Sequence, residues 1–170
     1  HHFSLTDAAC ASYDPVFKVH PPLRTDEDVK AVKAGLADGT IDAIATDHAP
    51  HTDHSKEKSF SEAPPGMLGL QTAFSITLEE SGLDIHQIFS LMSWRPAVIA
   101  GIADRHGMTV SPGSRANLCV IDLNETWTVS GESMASLSSN TPYEGRRLRG
   151  YVRHTIQAGE AVVIDGEAQR

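Results

Sequence analysis

Cysteine is scarce and unpaired. Cys10 and Cys119 lie far apart, without the close spacing that zinc ribbons and redox motifs need, so both read as reduced thiols of a cytoplasmic protein. Long apolar runs are lacking as well. No stretch approaches the roughly 20 residues of a membrane-spanning helix, and no basic-then-apolar leader is visible, although a start lying upstream would hide one. Positive charge is in deficit: 14 Lys and Arg against 22 Asp and Glu leave a formal net charge of -8. That balance opposes phosphate backbones and anionic lipid, so no nucleic acid and no membrane is expected among the partners.

What remains is the composition of a globular domain, 40% hydrophobic and 21% charged. At 170 residues the chain can bury a real core, but a complete eight-stranded α/β barrel needs about 250. It opens with His rather than Met, and Phe3-Ser4-Leu5-Thr6 carries neither a start signal nor a helix cap. A barrel reading therefore makes it a piece of a longer protein.

The densest chemistry lies at residues 45–51, Ala-Thr-Asp-His-Ala-Pro-His, directly after the apolar run Ile41-Asp42-Ala43-Ile44. In a parallel barrel the C-terminal strand ends carry the catalytic groups, and an Asp set there can bind a metal and accept a proton from water. Asp47 is accordingly the first catalytic candidate. The plain alternative is that Asp, His and Pro are turn residues, and that an Asp after a strand caps the next helix. His48, His51 and His54 recur every three residues, as a helical metal face would, but Pro50 among them favours a loop. The adjacency of His1 and His2, taken alone, means no more than the remnant of a purification tag.

Around this motif, residues 16–24 read as a short extended segment stopped by Pro21 and Pro22. Thr25 and Asp28 form a capping-box pattern that opens a helix through Val29, Val32 and Leu36 to Gly39. The strand carrying Asp47 follows. Residues 52–66 read as a long mobile loop of the lid type. Helices are expected from Met67 to Glu80, from Asp84 through Met92, and from Pro96 to about His106. Beyond Gly107 the pattern turns to strands at 117–123 and 126–129, then a turn-rich stretch from Ser130 to Gly150. A hairpin follows, Tyr151 to Ile156 with Ala161 to Ile164, closing on Gly166.

Four motifs in order are His1-His2-Phe3-Ser4-Leu5-Thr6, Lys18-Val19-His20-Pro21-Pro22-Leu23-Arg24, Ala45-Thr46-Asp47-His48-Ala49-Pro50-His51 and Asn140-Thr141-Pro142-Tyr143. With them the chain resembles class I dihydroorotases of the amidohydrolase superfamily. The third motif is the most specific, Pro-Pro-Leu-Arg is shared with dihydropyrimidinases and allantoinases, and the last is supportive only. The similarity covers essentially the whole chain and corresponds to the C-terminal part of that family. It implies an α/β fold: residues 1–106 as the C-terminal portion of a metal-dependent (β/α)8 TIM barrel, and residues 107–170 as a small antiparallel β module completed by a preceding segment. The implied activity interconverts L-dihydroorotate and N-carbamoyl-L-aspartate in pyrimidine synthesis. The implied cofactor is Zn2+, one or two per full-length subunit. The implied partners are that small-molecule substrate, a homodimer mate and aspartate transcarbamoylase.

By the same resemblance, Asp47 binds the more buried metal and shuttles a proton between the attacking water and the ring nitrogen. His51 matches a position that contacts the substrate carboxylate, for which an imidazole N–H is a suitable donor. Pro65 and Gly66 match a loop that approaches the substrate through its backbone, and glycine permits such an approach. His20 stands where class I members usually have Asn, and it is kept as a substrate-binding candidate. His2 and His48 match family histidines but read as packing or supporting residues. Arg24 suits a dicarboxylate, or equally a salt bridge at helix entry. The family's binuclear site also needs a His-x-His pair, a bridging carboxylate or carboxylated Lys, and two further histidines. No His-x-His occurs here, so those ligands are expected upstream and the isolated chain is expected to be inactive. The competing readings are a sister cyclic amidohydrolase and a non-catalytic scaffold for aspartate transcarbamoylase.

Overall fold

The computed structural model of the chain describes residues 1–107 and 109–169. Helix α1 (Asp26–Asp38) begins with the expected reciprocal cap: Asp28 N–H donates to Thr25 Oγ1 at 3.4 Å and Thr25 N–H donates to Asp28 Oδ2 at 3.2 Å. It buries Val29 and Leu36 and ends at Gly39, whose φ of +85° terminates the helix without a Cβ penalty. Residues 41–46, expected as a strand, have no sheet partner among the described residues. Ile44 N–H instead donates to Leu91 O at 2.9 Å, and Ile41 and Ile44 pack on the core.

The helices depart from expectation at their ends. Helix α2 (Asp53–Lys56) is a single turn, and α3 (Ala73–Glu80) starts well after Met67. The cause is local. Met67 pairs with His48 in a parallel bridge, Leu68 N–H donates to Asn140 O, and the N–H groups of Gly69 and Leu70 donate to His48 Nδ1, so this stretch is committed elsewhere. The two helices expected after residue 84 form one run: α4 (Ile85–Phe89), a π-helical turn (Ser90–Trp94) and α5 (Arg95–Ile99). A widened turn suits Pro96, which has no N–H for the ladder and crowds the preceding turn. The run stops at Ile99, short of His106, because Gly101 at φ +69° lets Ile102 N–H turn back to Ala97 O at 2.9 Å.

The only sheet among the described residues is an antiparallel meander, β1 (Leu118–Thr128), β2 (Arg147–Gln157), β3 (Glu160–Ile164) and β4 (Glu167–Ala168), in that spatial order. The two strands expected between 117 and 129 are one. Its register shifts between Asp122 and Thr126, where Asp122 Oδ1 accepts from the N–H groups of Asn124 and Glu125. Strand β2 also reaches back to Arg147, into the stretch read as turns. The β2–β3 hairpin turns through Ala158 and Gly159 with φ of +54° and +92°, the two positive angles of a type I′ turn.

Helices and sheet share one core. Phe3, Leu36, Ile76 and Leu91 meet Val129, Tyr143 and Leu148, so the core crosses the division between residues 1–106 and 107–170. Polar bonds fix the docking: Ser75 Oγ donates to Gly150 O at 2.6 Å, and Trp127 Nε1–H reaches both Ser75 Oγ and Gly150 O. At the end of α3, Glu80 pairs with Arg146 and with Lys33.

Burial alone would raise the pKa of Glu80; the hydrogen bond and charge of Arg146, helped by Lys33, outweigh it and hold the carboxyl below its ordinary range. A depressed carboxyl stabilises the fold above its unfolded pKa, and that contribution is lost as pH falls through the folded value. In the full-length protein, Glu80→Gln is therefore expected to lower the melting temperature at neutral pH. The gap should close as pH falls below about 4. A gap of constant size over that range would show that Glu80 acts without its charge.

Candidate active site

Asp47 sits where residues 41–46 end, exposed and at φ +47°. Asp tolerates this left-handed region better than most residues, and strained backbone of this kind gathers at functional sites. Past Asp47 the chain runs beside residues 66–70. His48 bridges Met67, Ala49 N–H donates to Met67 O at 3.0 Å, and His48 Nδ1 accepts the N–H groups of Gly69 at 3.1 Å and Leu70 at 3.3 Å. His48 is thus a staple between the two segments, and in its neutral form it carries its proton on Nε2.

The sequence candidates His51, Pro65 and Gly66 come together. His51 Nε2–H donates to Pro65 O at 3.0 Å. Gly66 is buried at φ +141°, and a Cβ there would stand 2.7 Å from both Ala49 Cβ and His51 Nε2. Only glycine permits this approach. Two consequences bear on recognition. With Nε2–H given to Pro65, a neutral His51 ring offers a carboxylate only the lone pair of Nδ1; donation to it needs a charged ring or release of Pro65. Gly66 also has both backbone groups engaged, its N–H with Lys18 O at 2.8 Å and its carbonyl with Asn140 Nδ2 at 3.2 Å.

Asn140 organises the rest, although its motif counted as merely supportive in the sequence. It is 5% exposed. Its Oδ1 accepts His51 N–H at 3.1 Å, its Nδ2 donates to Ala49 O at 3.1 Å and to Gly66 O, and its own carbonyl accepts Leu68 N–H at 3.1 Å. The stretch 52–66, read as a mobile lid, is pinned. Lys56 Nζ donates to Pro15 O at 2.8 Å and Pro64 O at 3.0 Å, Lys18 Nζ donates to Ser61 O, and Ser139 Oγ donates to Asp53 Oδ1. Burial, with the neighbouring Lys18 charge, lowers the pKa of Lys56 against the pull of Asp14. Only Asp53–Lys56 is helical here, so His48, His51 and His54 share no helical face.

His20 is exposed and follows by two residues Lys18, whose carbonyl accepts Gly66 N–H. Arg24 takes the helix-entry role, with Nε 3.3 Å from Asp28 Oδ2. His1 and His2 lie with ring centroids 4.4 Å apart, and the Nε2 atoms of both are buried without a hydrogen-bond partner. Burial lowers the pKa of His2 against the upward pull of the Asp47 charge.

Residues 19–162 match the amidohydrolase family. The chain belongs to the amidohydrolase family. It is 46% identical over 170 residues to a dihydroorotase of Elusimicrobium minutum and 48% identical over 171 residues to one of Streptomyces coelicolor, in each case over 98% of this chain. It spans only 39% and 40% of the length of those relatives. Its fold matches the L-hydantoinase (dihydropyrimidinase) of Arthrobacter aurescens at TM-score 0.88 and 27% identity, covering 99% of this chain and 39% of that one. The D-hydantoinase (dihydropyrimidinase) of Thermus sp. follows at 0.85 and 26%, with the same coverage.

An amidohydrolase metal can be tested against the donors present. Asp47 supplies an exposed carboxylate, and the buried Nε2 atoms of His1 and His2 have no hydrogen-bond partner, imidazole nitrogens being donors that a zinc-like ion takes. The chemistry fits. The set is incomplete, since no three or more His, Cys, Asp or Glu among the described residues are grouped to hold an ion.

The contact at Gly66 gives a direct test. Gly66→Ala is expected to destabilise the full-length protein by about 1–3 kcal/mol, since the new Cβ must displace the His51 ring and strain the backbone. Denaturant titration measures this, and a variant as stable as the parent would mean the two loops are not held as tightly as described.

Proposed function

We propose that this chain is the C-terminal part of a dihydroorotase, which reversibly hydrolyses L-dihydroorotate to N-carbamoyl-L-aspartate in pyrimidine synthesis. The observation that carries the reading is near-half identity to dihydroorotases along 98% of the chain, with Asp47, His51, Pro65 and Gly66 all in that stretch. On this reading residues 1–106 complete a (β/α)8 barrel with the segment before them, which explains why residues 41–46 lack sheet partners here. Residues 107–170 are its appended β module.

Asp47, with an unpartnered ring nitrogen of His1 or His2, would hold Zn2+, one or two ions per full-length subunit. When bound, the metal acidifies a water toward neutrality and polarises the amide carbonyl. Asp47 holds the proton released by the attacking water and returns it to the departing ring nitrogen, so one carboxylate serves both directions. His51, once charged or released from Pro65, and His20 orient the substrate carboxylate, and the Pro65-Gly66 backbone lines the ring. His48 keeps the strand end rigid behind Asp47. A cytoplasmic location agrees with the free Cys10 and Cys119, and no helix among the described residues is long and apolar enough to cross a membrane. A homodimer mate and a transcarbamoylase are the proposed protein partners.

The hydantoinase-like fold supports a second reading, a sister cyclic amidohydrolase acting on a ring without the carboxylate. Sequence identity favours the first. The deciding assay follows dihydroorotate hydrolysis by its ultraviolet absorbance, using the zinc-supplied full-length protein and its Asp47→Ala variant. Turnover is expected in the parent, with a loss of about a thousandfold or more in the variant. Absence of turnover in a folded, zinc-loaded parent, with turnover of dihydrouracil or hydantoin instead, would select the sister activity. The 170-residue chain alone is expected to give neither turnover nor stoichiometric zinc binding, because the donors it groups are too few for a tetrahedral site.

A further inference from the structure

One buried carboxamide holds both walls of the proposed pocket. The Ala49–His51 segment forms one wall and the Pro65–Gly66 segment the other, and they touch only because Gly66 lacks a Cβ. Between them Asn140 gives Nδ2 to Ala49 O on one wall and to Gly66 O on the other, while Oδ1 takes His51 N–H. These three backbone groups have no helix or sheet ladder to join. Left unpaired under cover they would seek water or new partners, and each unmet group is costly. No isosteric apolar side chain can replace the amide, since the site requires an acceptor and a two-proton donor on one short stem.

We propose that Asn140 is a positioning residue for substrate recognition, fixing the separation of the His51 and Gly66 walls without touching the substrate itself; the inference rests on the dihydroorotase reading. Its side chain sets where the His51 ring meets Pro65, and therefore where a substrate carboxylate is met. Asp47 lies outside the three groups that Asn140 holds, and its neighbour His48 is fixed by its own bonds to the N–H groups of Gly69 and Leu70, so zinc content and wall spacing are read separately.

The test uses the zinc-loaded full-length protein and two variants. Asn140→Ala removes all three side-chain bonds; Asn140→Asp keeps the acceptor for His51 N–H but sets a carboxylate against two carbonyls. Both are expected to raise KM for dihydroorotate about tenfold or more, with kcat changed about threefold at most and zinc content equal to the parent. Hydrogen exchange is expected to quicken together at residues 48–51 and 66–68, with α3 and β2 unchanged. A merely structural residue would lower the melting temperature and active fraction while leaving KM at the parental value, and that result overturns the proposal. So does unchanged exchange in either wall. If Asn140→Ala does not fold, Asn140→Asp decides by the same two readouts. If the parent fails to hydrolyse dihydroorotate, the dihydroorotase reading falls, while coupled exchange of the two walls still tests the clamp.

Discussion

The candidate site depends on the need to satisfy buried backbone groups where no regular ladder passes. Two irregular turns meet around His51 and Gly66, and the carboxamide of Asn140 supplies the missing partners. Turns of this kind normally stay at the surface and bond to water. Here Gly66 and Asn140 are buried between them, which fixes His51 against Pro65.

That constraint ties the site to the sheet. Asn140 arrives on the connection between β1 and β2, and the residues after it anchor that connection in the core. Tyr143 is buried and its hydroxyl bonds Ser4 Oγ at 2.6 Å, Arg146 pairs with Glu79 and Glu80 at the end of α3, and Leu148 is fully buried. Burial raises the pKa of the Tyr143 hydroxyl, so it remains a neutral hydrogen-bonding group across the ordinary pH range. The meander is therefore more than an appendage: its docking on α3 sets where Asn140 stands, and Asn140 ties His51 to Gly66.

Much of this was legible in the residues. The Thr25–Asp28 cap, the amphipathic α1, the Ala158–Gly159 hairpin turn and the Asp47 turn follow from local chemistry that needs no distant partner. The departures share one cause. Residues 67–70 have the apolar spacing of a helix, yet His48 and Asn140 take their backbone groups; Pro96 reads as a helix start, yet a π-helical turn carries the run through it. Likewise Asp122 and Thr126 look like a break between strands, but a bulge absorbs the extra residues. Long-range hydrogen bonds overrode local preference in the first case, and local geometry relieved an apparent break in the other two.

By itself the sequence singled out the candidate side chains, Asp47 and His51 on one motif and the small, rigid Pro65 and Gly66 on another, because reactive groups and glycine announce themselves by type. Only the tertiary structure decided that these motifs touch, that the His51 donor is already given to Pro65, and that Asn140 holds both walls. Residues 51 and 140 lie 89 positions apart, and a hydrogen bond across that separation leaves no periodicity or spacing by which a linear reading could find it.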